Sequence, residues 1–269
     1  LLNNVKNLNR LFNKNYKLLN NGGWFLFFYE PLEERYKRKK LKSFDFLLHR
    51  FFPRFPYCNK IYHFLFRGKD QAFSKAEVWG RLQYSGFSVV SESKIGNHHF
   101  IISKKHFIPS QVKNPSFYPI IRLERVGHHG EIIKIHKIRT MHPYSEFIQK
   151  KVYEMNTLGN TGKFDNDFRI TSWGKYFRKY WLDEIPQLID WFRGDVKIVG
   201  IRAMSKHFFS LYPESYQHKY LKVKPGLISP IFDETNSDFS EIVEIEERYL
   251  DSFSNNPLYT DFKYFFITL

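Results

Sequence analysis

The longest apolar runs in this chain of 269 residues, Trp24–Tyr29 and Tyr264–Leu269, are six residues each. Crossing a bilayer as a helix takes roughly 18–20. Hydrophobic surface must therefore be assembled from strand-length segments and amphipathic helices, as in an α/β protein. Aromatic rings supply much of it: 29 Phe, 17 Tyr and 5 Trp make up 19% of the residues. That number suits a thick core, a membrane interface, or both. No stretch reads as a secretory leader. The sequence opens on Leu1 and stops inside an apolar segment, so both ends read as cut.

Lys and Arg total 42 against 27 acids, a formal charge of +15. Such an excess points to an anionic partner: nucleic acid, acidic lipid headgroups or phosphorylated substrates. Cys58 is the single cysteine, which excludes an internal disulfide and fits cytosolic exposure.

Three sections are expected: 1–34, 35–112 and 113–269. In the first, Leu2, Val5, Leu8, Leu11 and Phe12 recur at helical spacing, and Asn20-Asn21-Gly22-Gly23 stops the helix. Trp24–Tyr29 then reads as a buried strand. One helix and one strand cannot cover both of their faces, so the section reads as the remnant of a larger α/β unit. Its pattern is similar to the last helix and strand of Rossmann-type methyltransferases. The glycine-rich cofactor loop of such enzymes is not in this sequence, and methyl transfer is not assigned.

The second section places Arg35, Lys37, Arg38, Lys39, Lys40, Lys42, Arg50, Arg54 and Lys60 among aromatics, with Asp45 the lone acid between Arg35 and Lys60. Pro53 and Pro56 exclude one straight helix. Basic and aromatic side chains together suit the headgroup layer of an anionic membrane, and equally a solvated basic helix beside a core segment. Ser74–Glu77 has capping-box spacing for a helix ended by Gly86, with strands at Phe87–Val90 and Phe100–Ile102. The pairs His98-His99 and His128-His129 read as loop residues. Adjacent histidines rarely share a metal, and no Cys or carboxylate lies at ligand spacing.

The third section opens with a hairpin, Arg122–Val126 and Glu131–Lys137 around a Gly127–Gly130 turn. Lys137 and Arg139, two residues apart on a strand, would share a face and make a diphosphate clamp. Solvated surface cations would show the same spacing. Thr171 or Ser172 caps a helix through Trp181. Pro186 suits the first turn of the next helix, placing Asp183 and Glu184 at its N-terminus. There the helix dipole would favour their ionisation, and an ionised Asp is a possible nucleophile toward phosphorus. Two acids stabilising a helix start are the plainer account.

The ordered string of motifs carries more than any one of them. It reads "NPSFYPIIRLERVG", "KIRTM", Asp167-Phe168-Arg169-Ile170-Thr171 with Gly174 and Arg178, "LDEIPQL", "FRGDVKIVGIRA" and Lys224-Pro225-Gly226-Leu227. This string resembles the bacterial sugar transferase family, the catalytic domain of monotopic phosphoglycosyl transferases. The resemblance implies an α/β fold with helices around a small sheet. It implies transfer of a sugar-1-phosphate from a UDP-sugar to polyprenyl phosphate, beginning glycan or exopolysaccharide assembly. Asp183 would be the nucleophile that forms an aspartyl-phosphosugar intermediate, Glu184 its partner, and both would serve Mg²⁺. Lys137, Arg139, Arg169, Arg178, Arg202 and Lys224 would contact substrate phosphates. The implied location is the cytoplasmic face of the bacterial inner membrane, peripheral or monotopic, against an anionic surface, with no nucleic acid expected.

Three departures stand out. The family's G-P-R-P corner is Gly200-Ile201-Arg202-Ala203 here, without either proline. The acid ahead of the late Tyr249 is displaced to Glu246 or Glu247. The slot of the family's re-entrant membrane helix, before the hairpin, holds a short polar "HHFIISKKHFIPSQV", so Phe44–Phe66 is the candidate replacement. Two further readings remain: a basic nucleic-acid-binding module, and a non-catalytic membrane-docked family member.

Overall fold

The computed structural model describes all residues except 39–41, 68–70, 113, 114, 116, 117, 156–166, 231–238 and 269. The fold is mixed α/β. Its described residues fall into two units, each discontinuous in sequence: residues 1–119 with 139–176, and residues 120–138 with 177–269. This grouping differs from consecutive sections ending at 34 and 112.

In the first unit the amphipathic repeat does not run as one helix from Leu2. Asn7 accepts a hydrogen bond from the Arg10 amide at 3.0 Å and starts α1 (Leu8–Leu18) there, leaving Leu2–Asn4 as a separate 3-10 turn. Gly22 (φ +78°) makes the turn into β1 (Trp24–Tyr29). That strand is half-buried rather than buried. Phe25, Phe27 and Tyr29 face the core, while Trp24, Leu26 and Phe28 are exposed.

The basic section breaks as its prolines require, into α2 (Leu32–Arg38), α3 (Lys42–Phe46), a π turn and a 3-10 turn over residues 47–54, and α4 (Pro56–Phe66). Ser74 caps α5 (Lys75–Tyr84), accepting from the Glu77 amide at 3.3 Å. Only that half of the capping box forms. The Glu77 carboxylate turns instead to Arg50 and Arg81. Strands β2 (Phe87–Ile95) and β3 (His98–Lys105) follow, longer than expected. The sheet is antiparallel, in the order β1-β3-β2. The slot expected for a re-entrant segment is thus the central strand of a sheet. His99 of that strand pairs through Nδ1 with Glu92 at 2.6 Å, so it is not a loop residue. Two later helices, α6 (Gln149–Met155) and α7 (Ser172–Lys179), complete this part of the chain, and α7 carries it into the second unit. Thr171 is the cap of α7: its hydroxyl accepts from the Gly174 amide at 3.0 Å.

The second unit begins with the hairpin β4 (Ile120–Val126) and β5 (Ile132–Ile138); β4 starts two residues earlier than expected and β5 is shifted by one. Next come α8 (Gln187–Phe192), β6 (Lys197–Val199), α9 (Lys206–Phe209), α10 (Glu214–Tyr220), β7 (Gly226–Ile228), α11 (Phe239–Asn255) and α12 (Pro257–Thr268). Strands β6 and β7 pair in parallel. The expected single small sheet is therefore three small sheets among the described residues. A ring-rich core of Tyr212, Tyr216, Tyr220 and Tyr249 with Val199, Ile201 and Leu250 holds this unit together. Tyrosine hydroxyls there have buried partners: Tyr216 donates to Glu246 at 2.5 Å, and Tyr249 to Asp261 at 2.6 Å.

The corner that lacks the family's prolines is fixed by backbone pairing. The Gly226 amide donates to Ile201 at 2.9 Å, and the Met204 carbonyl accepts from Val126 at 2.8 Å. The crossing works because both partners are glycine. A Cβ on Gly226 would lie 2.1 Å from the Gly200 nitrogen. Gly226→Ala is expected to lower stability by about 1–3 kcal/mol through overpacking, measured by urea unfolding. An unchanged midpoint would show that the corner has slack.

Candidate active site

Two consecutive residues of β5 organise the turn and helix that carry the acidic pair. The carboxylate of Asp190, fully buried on α8, accepts from the His136 amide at 2.7 Å and meets His136 Nδ1 at 2.6 Å. This locks α8 to the strand by a main-chain and a side-chain contact together. The next residue, Lys137, donates through Nζ to Glu184 Oε1 at 2.6 Å. Sequence reading passed over His136 and Asp190. The signal available in the sequence was a lone acid inside the apolar string Leu188-Ile189-Asp190-Trp191-Phe192.

Asp183 and Glu184 lie in a 3-10 turn, Leu182–Glu184, just ahead of α8 rather than in its first turn. Trp181, in the left-handed region at φ +53°, bends the chain from α7 into that turn. A non-glycine residue there costs about 1–2 kcal/mol, so surrounding contacts must hold it.

The two acids have different roles. Glu184 collects donors: Lys137 and Arg202 (3.5 Å) on Oε1, and Gln187 Nε2 on Oε2 at 2.9 Å. Asp183 is buried and has no side-chain hydrogen-bond donor among the described residues. Burial raises its pKa above the ordinary carboxylate value. Lys137 opposes that shift, Glu184 adds to it, and the backbone N–H and Arg178 oppose it; the balance is upward. The expectation was that a helix N-terminus would favour its ionisation; here burial is the largest influence and the direction is upward.

The other expected phosphate contacts divide. Lys137, Arg178 and Arg202 act on the acidic pair, by hydrogen bond or by charge. Lys224 is exposed in the same unit with its Nζ beside Gly194, and among the described residues it makes no ion pair with either acid. Arg139 and Arg169 belong to the other unit. Strand β5 ends at Ile138, so strand alternation does not carry Arg139 onto the Lys137 face. Arg139 is buried and donates through Nε to the Tyr118 carbonyl at 2.9 Å. Arg169, expected to contact a substrate phosphate, has protein partners instead of open space around it. Its guanidinium is buried against Asp167, at 2.6–3.0 Å, and also holds Gln149. Neither displaced acid joins the pair: Glu246 accepts from Tyr216, and Glu247 lies 3.8 Å from Lys219.

Among the described residues no three His, Cys, Asp or Glu side chains gather at metal-binding spacing. The acidic pair still fits Mg²⁺, which binds through one or two carboxylates and takes its remaining ligands from water and substrate phosphates. Asp183 and Glu184 repel one another, and a divalent cation would relieve that repulsion.

The sequence pattern described as "Bacterial sugar transferase" matches residues 104–269. The galactosyl transferase CpsE of Streptococcus agalactiae is 32% identical over 61% of this chain and 36% of its own length. The exopolysaccharide production protein ExoY of Sinorhizobium fredii is 31% identical over 48% and 60%. The UDP-glucose:undecaprenyl-phosphate glucose-1-phosphate transferase of Escherichia coli is 37% identical over 43% and 24%. The matched part spans between about a quarter and three fifths of these relatives.

If the His136–Asp190 clamp sets the turn, Asp190→Ala should cost about 1–3 kcal/mol by chemical denaturation. It should also increase amide hydrogen exchange in β5 and residues 182–192. Unchanged exchange there would remove the clamp from the account.

Proposed function

The chain belongs to the bacterial sugar transferase family, and on that footing we propose that it transfers a sugar-1-phosphate from a UDP-sugar to polyprenyl phosphate, the first step in building a glycan. The carrying observation is the asymmetry of the acidic pair. Asp183 is buried, hydrogen-bonded by no side chain among the described residues and close to the charges of Lys137 and Arg178. Glu184 meanwhile ties Lys137 and Arg202 in place. Relatives support the substrate class: the Escherichia coli protein is a UDP-glucose:undecaprenyl-phosphate glucose-1-phosphate transferase, and a Salmonella typhimurium relative is an undecaprenyl-phosphate galactose phosphotransferase.

In this reading a carboxylate oxygen of Asp183 attacks the phosphorus that bears the sugar. The bond from that phosphorus to the bridging oxygen breaks, and UMP leaves with the bond's electrons. An oxygen of polyprenyl phosphate then attacks the same phosphorus, and Asp183 departs as carboxylate. Both steps bring polyanions together, so neutralising charge and fixing geometry are the main tasks. Lys137, Arg178 and Arg202 supply the fixed cations. Mg²⁺, held by Asp183 and Glu184, would add charge neutralisation at the diphosphate.

A polyprenyl acceptor requires a membrane surface, and no described helix is long and apolar enough to cross one. Peripheral docking on anionic lipid, on the cytoplasmic face, is part of the proposal. Helix α4 supports it with Tyr57, Ile61, Phe64 and Leu65 exposed at helical spacing, after a strongly basic segment. In a flotation assay the chain should rise with vesicles of anionic phospholipid at low salt, and Phe64→Glu should reduce that fraction severalfold. Absence of binding at any salt would remove this part.

The central test is UMP release from UDP-sugars with Mg²⁺ and polyprenyl phosphate. Wild type should release UMP and Asp183→Asn should not; equal release contradicts the assignment. Ionised Asp183 is the attacking form, so the acidic limb of kcat/KM, extrapolated to zero Mg²⁺, should lie above the ordinary Asp range. Lys137 lowers this pKa, so Lys137→Met should move the limb to higher pH, whatever it does to the rate. A limb that stays put in Lys137→Met separates the titrating group from Asp183.

A further inference from the structure

The chain carries no acid before Glu30, and its first helix bears charge of one sign. Lys6, just ahead of α1, and Arg10 and Lys14 within it recur at a spacing of four, which lines them along one side. All three are exposed, and among the described residues none has an ion-pair partner. They border a cavity of about 740 Å³ that the start of α1 shares with α4, both in the first unit. Val5 and Leu11 give it an apolar lining on the α1 side.

The α4 side of the cavity is polar. Asn59 and His63 are one helical turn apart, so both reach it from one face. Each has a buried side-chain atom without a hydrogen-bond partner among the described residues: Oδ1 of Asn59 and Nδ1 of His63. Burial, followed by the charge of Lys6, lowers the His63 pKa, so the ring is neutral at ordinary pH. Unpartnered polar atoms inside a fold are few, and each calls for an account. Here two of them belong to residues that line the same cavity as three cations.

Two chemical requirements meet in that space. The cations favour an anion, and Arg10 can hold a phosphate through two parallel N–H donors. A phosphate dianion alone would leave Asn59 Oδ1 unmet, because both are acceptors. A hydroxyl gives and takes a hydrogen bond, so it suits a carbonyl oxygen and a neutral imidazole nitrogen alike. The cavity also falls within the roughly 300–1,000 Å³ of small-molecule sites. We propose that it binds a phosphorylated polyol, with the phosphate on Lys6, Arg10 and Lys14 and the hydroxyls on Asn59 and His63. Sugar phosphates present this chemistry in solution, and phosphatidylglycerol presents it on a lipid. The lining residues all precede the family-matched residues 104–269, so the site does not rest on the sugar-transfer reading.

Glycerol 3-phosphate is the probe, titrated calorimetrically into the whole chain, with inorganic phosphate as reference. Wild type should bind glycerol 3-phosphate about fivefold more tightly than phosphate, the worth of one further hydrogen bond. Asn59→Leu should erase that difference and leave phosphate binding as it was. Its unfolding temperature should equal or exceed that of wild type, because an unsatisfied buried oxygen has been removed. Arg10→Gln, at an exposed position, should weaken both ligands about fivefold. Vesicles separate the two sources. If vesicles containing phosphatidylglycerol displace the probe and those containing phosphatidylserine at equal charge do not, the group arrives on a lipid; if neither displaces it, the group arrives in solution. Equal displacement by both vesicles, no binding by wild type, equal affinity for phosphate and glycerol 3-phosphate, or affinities unchanged in both variants overturns the proposal.

Discussion

The catalytic reading depends on the carboxylate of Asp190 buried against β5. An acid with no exposed surface would be a liability if unpaired. Here it binds the His136 amide and imidazole together. Helix α8, six residues long, has little stability of its own, and this clamp gives it one position relative to the strand. Lys137, the next residue, then reaches Glu184, and the 3-10 turn holding Asp183 lies between two anchored points. The chemistry assigned to Asp183 thus rests partly on the His136–Asp190 clamp, to which no substrate contact is assigned.

Charge is handled in contrasting ways along this chain. Around the acidic pair, cations stay partly exposed, as Lys137 and Arg202 are, in contact with a carboxylate and within reach of a ligand. In the first unit, several arginines are interior and paired: Arg35 with Asp45, Arg50 and Arg81 with Glu77, Arg169 with Asp167. The net +15 is therefore not one basic face. Part of it is structural, held in buried ion pairs.

What could be read from the sequence follows the range of each interaction. Local signals were accurate. Asn20–Gly23 turned the chain, Pro53 and Pro56 broke the basic stretch, Gly127–Gly130 closed the hairpin, and Thr171 capped α7. The ordered motifs identified the family that the match over 104–269 shows. Long-range partners were not legible. Arg169 looked like a phosphate ligand because its pairing with Asp167 and Gln149 depends on a fold the motif does not describe. The pKa of Asp183 was misjudged because helix position shows in sequence and desolvation does not. Trp24–Tyr29 looked buried because every residue in it is apolar, but only alternate residues of an edge strand found a core.

The most direct measurement is the intact mass of the protein after mixing with a UDP-sugar donor and Mg²⁺, with polyprenyl phosphate left out. Wild type should gain the mass of one sugar phosphate, mapped by peptide fragmentation to Asp183 and discharged when the acceptor is added. A protein that turns over donor and acceptor yet carries no adduct at that residue would contradict the account.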